Sequence, residues 1–437
     1  MAAIRCRRRR VLGQTGSLNL LGINCHGSSD TAITDYHEPD TTGHDCVNGN
    51  SFFRTTNRAM SDHSKTHSLR VVVAGQIPPP LGGQNICIKR TLDLLKADER
   101  FCCEHLVFEF TKTWEAARMV NGGKLLELFK VIGRLLRLRL VGKIDVLIYP
   151  VGGPHLVAIL RDMLLLPFAR LCSRRVLLHF HAAGLAEFLV KQKTWQKKVI
   201  QLMYASCCHE AIVNADFGRN DAEAIGIHKV HTLPNAVEDH AKGLFIRNKK
   251  NACEILNVGH LCRDKGTPQL IEAFSTVASR WPELRLKLVG EPLAPYTREN
   301  LLRDIEKSGF QDRISWMGVL QGRPLQEAFR DADFFVFSSV APYESFGLVM
   351  VEAMQWSLPL IITDWRANRE VCGPLFGGVI AEDPEKSLES SLVTAMTRAL
   401  STREDWADWG KTNRMIFETN YAMSVFSSRL VNIMIKS

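Results

Sequence analysis

The sequence predicts an α/β protein built from two doubly wound, Rossmann-like domains facing each other across a cleft. Its 437 residues exceed the roughly 250–300 at which one hydrophobic core divides. From Leu69 onward, short β-branched runs (LRVVVAG, DVLIYP, RVLLHFHA, EAIVNA) alternate with helical stretches, each run closed by a polar turn or a glycine. After a Lys-rich link between Arg247 and Asn251 the alternation restarts with CEILNVG, LRLKLVG, ISWMG, FFVFSS and PLIITD. Such runs read as buried parallel strands, and their alternation with helices gives two doubly wound units. Sheets of this kind bind ligands beyond the carboxyl ends of their strands. That puts the loops after Gly75, Pro150, Ala182, Gly259, Gly290 and Ser339 at the cleft.

The expected units are an N-terminal domain over 68–245, a C-terminal domain over 252–415 and a closing helical segment over 416–437. Residues 1–67 are rich in Ser, Thr, Asn, Asp, His and Gly without a sustained apolar period, and are expected to be disordered. The opening RCRRRR leads into VLGQTGSLNLLGI, too polar for the apolar part of a secretory signal. It reads either as a transit-peptide mimic or as an extension ahead of a natural start at Met60.

A hydrophobic fraction of 46% and a charged fraction of 23% fit a packed globular protein and exclude a disordered or membrane-spanning chain. The run AILRDMLLLPFARL is broken by Arg161 and Asp162 and falls short of the ~20 apolar residues a bilayer crossing needs. The 12 cysteines are scattered without CxxC spacing and read as reduced thiols. Cys102 and Cys253 sit in strand-like runs and are expected to be buried. No Asn-x-Ser/Thr acceptor occurs, which fits a cytoplasmic protein.

The net charge of +9 is informative only through its distribution. KLLELFKVIGRLLRLRLVGK (124–143) carries Lys124, Lys130, Arg134, Arg137, Arg139 and Lys143 against Glu127, with leucines at helical spacing. Such a helix either lies on an anionic membrane surface or packs its leucines on a sheet with its charges in water. No nucleic-acid partner is expected, because no basic-aromatic interleaving or recognised module is present.

The strongest chemical signal is YESFGLVMVEAM, where Glu344 lies in a loop and Glu352 about two turns inside the helix that follows. The two carboxylates can reach different parts of one elongated ligand. The amides of Phe346, Gly347 and Leu348, with Ser345 beside them, form a helix N-terminus suited to an anion such as a diphosphate. In the N-terminal half, IPPPLGGQ places Gly82 and Gly83 before a helix, where backbone amides can approach a phosphate. The absence of GxGxxG there argues against a nicotinamide site.

On the Glu-x7-Glu element, with ADFFVFSS before it, the chain resembles retaining glycosyltransferase family 4, the glycogen-synthase and mannosyltransferase group of GT-B fold, from residue 68 to the end. The resemblance implies that Glu344 lies near donor-sugar hydroxyls and Glu352 on the nucleotide ribose. It also implies that the C-terminal domain holds the donor and that the closing helix returns to the N-terminal, acceptor-side domain. LNVGHLCRDKGTPQLIEAF matches the family's glycine turn at Gly259 and its phosphate-binding Lys265. The Arg usual after that glycine is His260 here, and Arg263 is the candidate replacement at a different spacing. Ser357 stands where the family has a glycine and is expected to alter only packing.

His181, followed by Ala182, Ala183 and Gly184, matches the family's histidine beside the donor sugar, with His179 expected in the core behind it. A metal site would need a third ligand, and none is evident nearby in the sequence. Gly290 matches a loop bordering the nucleotide base. Asn235 reads as a residue shaping the interdomain cleft or as an ordinary turn asparagine, and Glu370 aligns with a recurrent glutamate but lacks its usual preceding glycines. Asp331 and Asp333 flank an Asp-x-Asp pattern, but its place just before a buried strand argues against a metal role.

The resulting expectation is a retaining, metal-independent glycosyltransferase with His181, Lys265 and Glu344 at the chemistry. Gly82, Gly83, Gly259, Arg263, Gly290, Ser345, Phe346, Gly347, Leu348 and Glu352 are expected on the donor. No cofactor is expected beyond the nucleotide diphosphate sugar itself. The acceptor would be a glycan or a lipid-linked glycan in polysaccharide or glycolipid synthesis, with the protein in the cytoplasm and peripheral at the inner membrane face. The alternative, motivated by His260 and Ser357, is a catalytically weakened binding or scaffold protein of the same fold.

Overall fold

The computed structural model describes residues 68–79, 82–109, 122–243 and 253–436, so the N-terminal extension and the Lys-rich link lie outside the described residues. In the N-terminal domain the strands are β1 (Leu69–Gly75), β2 (Phe101–Val107), β3 (Ile144–Pro150), β4 (Ser173–Phe180), β5 (Glu210–Val213) and β6 (Lys229–Thr232). Between them run α1 (Gly83–Ala97), α2 (Gly122–Val141), α3 (Leu156–Cys172), α4 (Leu185–Val190), α5 (Thr194–Cys207) and α6 (Arg219–Ala224). The C-terminal domain has β7 (Cys253–Val258), β8 (Leu284–Val289), β9 (Ile314–Trp316), β10 (Phe334–Phe337), β11 (Leu360–Thr363) and β12 (Gly378–Ala381). Its helices are α7 (Thr267–Ala278), α8 (Arg298–Lys307), α9 (Arg323–Asp331), α10 (Leu348–Gln355), α11 (Asn368–Cys372), α12 (Pro384–Ser401) and α13 (Trp406–Asn420), and α14 (Met423–Ile435) follows.

Both sheets are parallel, in the orders β2-β1-β3-β4-β5-β6 and β12-β11-β10-β7-β8-β9. The order reverses between β1 and β3 and between β7 and β10. At such a reversal the crossovers leave in opposite directions and a crevice opens. β7 and β10 pair only through Phe334 with Ile255 and Phe335 with Leu256. Beyond that pairing the Asn257 Nδ2 donates to the Val336 carbonyl at 2.9 Å.

Helix α13 runs past residue 415 to Asn420, and the chain crosses back beside Val237, which bridges to Ala422. In α14, Phe426, Leu430 and Met434 are buried in one cluster with Val71, Ile88 and Leu92 of the N-terminal domain. The described cysteines are free thiols; Cys253 is buried but Cys102 is exposed, contrary to expectation. β2 is an edge strand, and alternation turns Cys102 outward while its neighbour Phe101 enters the core.

Asp162, which interrupts the apolar run of α3, is fully buried and organises the N-terminal core. Its Oδ1 accepts from the Tyr149 hydroxyl at 2.7 Å and from Arg161, and its Oδ2 accepts from the Tyr204 hydroxyl and the Gly152 amide, both at 2.8 Å. Ser357 does more than alter packing. It adopts φ 54° in the turn after α10, a left-handed conformation that a glycine would hold without steric cost. Replacing Asp162 by Ala strands two hydroxyls and a guanidinium in the core and should cost about 3–5 kcal/mol in denaturant unfolding. Ser357→Gly should stabilise by about 1 kcal/mol in the same assay.

Candidate active site

The loops after β7 and β10 meet at the C-terminal switch point and are tied together there. The Val340 amide donates to the Asp264 carbonyl at 2.9 Å, and the Ser338 hydroxyl to the Lys265 carbonyl at 2.8 Å. Lys265 and Glu344 face each other across this junction, with Nζ donating to Oε2 at 2.5 Å. The same oxygen accepts from the Ser339 hydroxyl at 2.9 Å, and Oε1 accepts from the Gly347 amide at 3.2 Å. Glu344 is only 8% exposed. Burial pushes its carboxyl up, but the Lys265 charge and these hydrogen bonds more than offset that and hold it below its ordinary range. Lys265 also lies over the Tyr343 ring, 5.6 Å from its centroid.

Gly347, at φ 73°, caps α10, and its amide is taken by Glu344. The amides expected to meet an anion are therefore those of Phe346 and Leu348; the Phe346 side chain itself is core, edge-on to Tyr421. The Ser345 hydroxyl reaches the other domain, donating to the His181 carbonyl at 2.7 Å. Because α10 begins at Leu348, Glu352 lies in its second turn. It is half-buried and faces Arg90 of α1; burial raises its carboxyl to about 7 against the opposing pull of Arg90.

Gly259 and Gly290 end β7 and β8 back to back. A Cβ on Gly290 would stand 1.8 Å from the Gly259 carbonyl oxygen, so no side chain fits there, while a Cβ on Gly259 would meet open space. His260 is held neutral by burial and by Lys265. Arg263 does not take the place of the missing cation. It is exposed, and its charge is felt at Glu272 and Tyr296, whereas the charge of Lys265 is felt at Glu344 and His260. A position two residues before the lysine simply points to the outer side of the turn.

In the N-terminal domain Gly82 and Gly83 open α1 at the carboxyl end of β1, and a Cβ on Gly83 would have nothing within 4 Å. His181 and His179 lie against each other, ring centroids 4.0 Å apart and planes tilted by 40°. Both ring nitrogens of His181 are buried without a hydrogen-bond partner, and burial, then His179, keeps the ring well below its ordinary pKa and neutral. The third ligand type that the sequence does not place beside them is Cys87 of α1, whose Sγ lies within 4.8 Å of both imidazoles. Cys87 already donates to the Asn235 Oδ1 at 2.8 Å, and His179 shares a 3.2 Å hydrogen bond with the Asn214 Oδ1, so two of the three are already engaged by asparagines while His181 is not.

The two domains are joined around this cleft. The Ala183 amide donates to the Tyr343 carbonyl at 3.2 Å, and Arg366 pairs with Glu187 at 2.6 Å. Glu370 accepts from the Asp216 and Phe217 amides at 2.5 and 2.9 Å, which makes it an interdomain clamp. Asp333 accepts from the Glu254 amide and so ties the start of β10 to β7, while Asp331 pairs with its neighbour Arg330 at the end of α9. Ser339, Tyr343, Arg90 and Cys87 are the site residues that sequence reasoning missed. The only available signal was the placement of the loop after Ser339 at the cleft.

Residues 237–415 match the family model for glycosyl transferases group 1. Over 114 residues the chain is 38% identical to mannosylfructose-phosphate synthase of Agrobacterium fabrum, 25% of each chain. The chain spans about half or less of the curated relatives it matches. Sucrose-phosphate synthase of Thermosynechococcus elongatus superposes with a TM-score of 0.66 at 15% identity, covering 84% of this chain and 98% of that one. HepE of Anabaena in complex with UDP-glucose does so with a TM-score of 0.63 at 15% identity, covering 84% and 100%. The two facing sheets therefore have the GT-B fold.

Glu352 also sets a pH dependence. The unfolded chain releases this proton near 4.5, whereas the folded protein keeps it to about 7, so stability falls as pH rises through that window and stays lower above it. Glu352→Gln removes this loss. Its melting temperature should gain on the native protein between pH 4.5 and 7.5, and a gap that stays constant across the range would refute the assignment.

Proposed function

We propose that this chain transfers a glycosyl group from a nucleoside diphosphate sugar to an acceptor hydroxyl, with retention of anomeric configuration. The observation that carries the proposal is the junction of Lys265, Glu344 and the N-terminus of α10 at the switch point of the C-terminal sheet. There a cation, open helix amides and a fixed carboxylate converge on one crevice.

In this reading the diphosphate lies between Lys265 and the amides of Phe346 and Leu348, with the open start of α1 at Gly83 contributing from the N-terminal domain. Lys265, held in place by Glu344, presents its charge to the leaving phosphate as negative charge builds there, which is where fixed electrostatics lower a barrier most. Glu344 stays ionised and accepts from sugar hydroxyls, and the neutral His181 ring offers its unpartnered nitrogens to the same sugar. Glu352 takes the ribose. The bond between the anomeric carbon and the phosphate oxygen breaks, the acceptor oxygen bonds that carbon on the same face, and its proton passes to the departing phosphate. No protein nucleophile is needed, and Lys265 with the helix amides supplies the charge that a metal would otherwise bring.

The family match and the sugar-handling relatives support the donor class, and a neighbour holding UDP-glucose makes uridine nucleotides the first probes. The acceptor in this proposal is a glycan or lipid-linked glycan, in polysaccharide or glycolipid synthesis at the cytoplasmic face of a membrane. A thermal-shift series with UDP, GDP and ADP and their sugars should show selective stabilisation by one base, lost in Glu352→Ala. Lys265→Ala should lower turnover of that donor by about 10²–10³-fold. Folded protein that responds to no nucleotide, or that binds a donor without consuming it, would defeat the proposal and favour a binding role.

A further inference from the structure

The outer side of the N-terminal domain carries a surface that neither its core nor the cleft explains. Of the 20 large hydrophobic side chains exposed among the described residues, 14 lie between Leu125 and Leu202. Residues 124–202 also hold fourteen Lys/Arg against four Asp/Glu, enough to account for the whole excess charge of +9.

Helix α2 shows how this surface is built. Leu128, Val131 and Leu135 are buried, as a helix covering a sheet requires, but Phe129, Leu136 and Leu140 emerge on the opposite side, with Leu140 86% exposed. The helix is therefore apolar twice, and packing on the sheet accounts for only one of the two stripes. Helix α3, packed between α2 and α5, buries Ile159, Leu165 and Leu166 and exposes Leu160, Leu164 and Leu171. Helix α5 buries Ile200 and Tyr204 and exposes Trp195, Val199 and Leu202. Three neighbouring helices thus present outward apolar stripes side by side. Arg137 and Arg139 flank the stripe of α2, and Lys191, Lys193 and Lys198 border α5; all are exposed, with no carboxylate partner among the described residues.

We infer that the outward face of α2, α3 and α5 docks in the plane of an anionic lipid bilayer, its leucines at the acyl boundary and its arginines and lysines on the headgroups. The charge selects this occupant. A second copy would bring two cationic faces together, and a nucleic acid would leave the leucines in water. No described helix is long and apolar enough to cross a membrane, so the contact is in-plane. The face ends at α4, whose exposed Val190 lies one short helix beyond the His181–Gly184 turn, so docking brings the mouth of the cleft beside the bilayer. Only the identity of a lipid-linked acceptor rests on the proposed glycosyl transfer; the docking does not.

The test is co-sedimentation of the full chain with vesicles of phosphatidylcholine, with and without phosphatidylglycerol. Binding is expected only to the anionic vesicles. It should fall about tenfold or more in Phe129→Ser/Leu164→Ser/Leu202→Ser and in Lys193→Glu/Lys198→Glu. Leu302→Ser/Leu375→Ser, apolar and exposed elsewhere, should bind as the native protein does. All the altered residues are exposed, so melting curves should stay close to native; should the triple variant not fold, the lysine pair still decides. The proposal is overturned if the native chain does not bind anionic vesicles, if neither variant weakens binding, or if the apolar variant instead dissolves a dimer of the native chain. Nucleotide shifts on the same samples keep the two readings apart: a native chain that responds to a nucleotide but does not bind anionic vesicles defeats docking alone, and one that binds the vesicles but responds to no nucleotide defeats glycosyl transfer alone.

Discussion

A carboxylate as buried as that of Glu344 survives only with its oxygens satisfied, and the three groups that satisfy it come from three different segments. Lys265 arrives from the turn after β7, Ser339 from the end of β10 and the Gly347 amide from the first turn of α10. None of these can shift without unpairing a buried charge. The position of the helix N-terminus, the reach of the lysine and the width of the crevice are thus fixed by one side chain. Even the neighbouring loops are braced against it, since Thr363 of β11 donates to the Ser339 carbonyl at 2.6 Å and Asn368 in turn supports Thr363.

The interdomain contacts are of a different kind. Ala183 with Tyr343, Ser345 with His181, and Glu370 with Asp216 and Phe217 are hydrogen bonds to backbone groups at the rim of the cleft. Nearer the crossing, Arg414 pairs with both oxygens of Asp239, and the His240 amide donates to Gln355. Polar contacts of this type can be exchanged for water at modest cost, which under the proposed transfer suits two domains that part to admit a donor and close to exclude solvent. His181, with no partner for either ring nitrogen, sits where closure would supply one.

Much of this was legible in the sequence because it rests on local pattern. The central strands announce themselves as apolar runs, and Glu344 and Glu352 stand at a spacing that one loop-helix unit can hold, whereas Lys265 and His181 were marked by the resemblance of their motifs. Of the edge strands, β9 was read and β2 only as the strand-like run around Cys102, while β6 and β12 were missed, since KVHT and GVIA are four residues long, meet a neighbour on one side only and need no continuous apolar run. Cys87, Arg90, Ser339 and Tyr343 reach the site through tertiary packing, which no spacing encodes. Ser357 was legible as a substitution but not as a backbone conformation, and Arg263 as a charge but not as a direction. In α2 the leucines were visible, but nothing in their spacing told which of them the sheet would take.

The last helix carries one more consequence. Phe426, Leu430 and Met434 complete a core that begins at Val71, whereas the residues of the C-terminal sheet and its helices are contiguous from Cys253 to Asn420. During synthesis the N-terminal half emerges first yet lacks part of its interior until α14 has been made, so the second half can finish its core before the first. The order of assembly then runs against the order of synthesis, and a nascent chain stalled short of α14 would leave Val71, Ile88 and Leu92 uncovered, a ready signal for the chaperones and proteases that survey incomplete proteins.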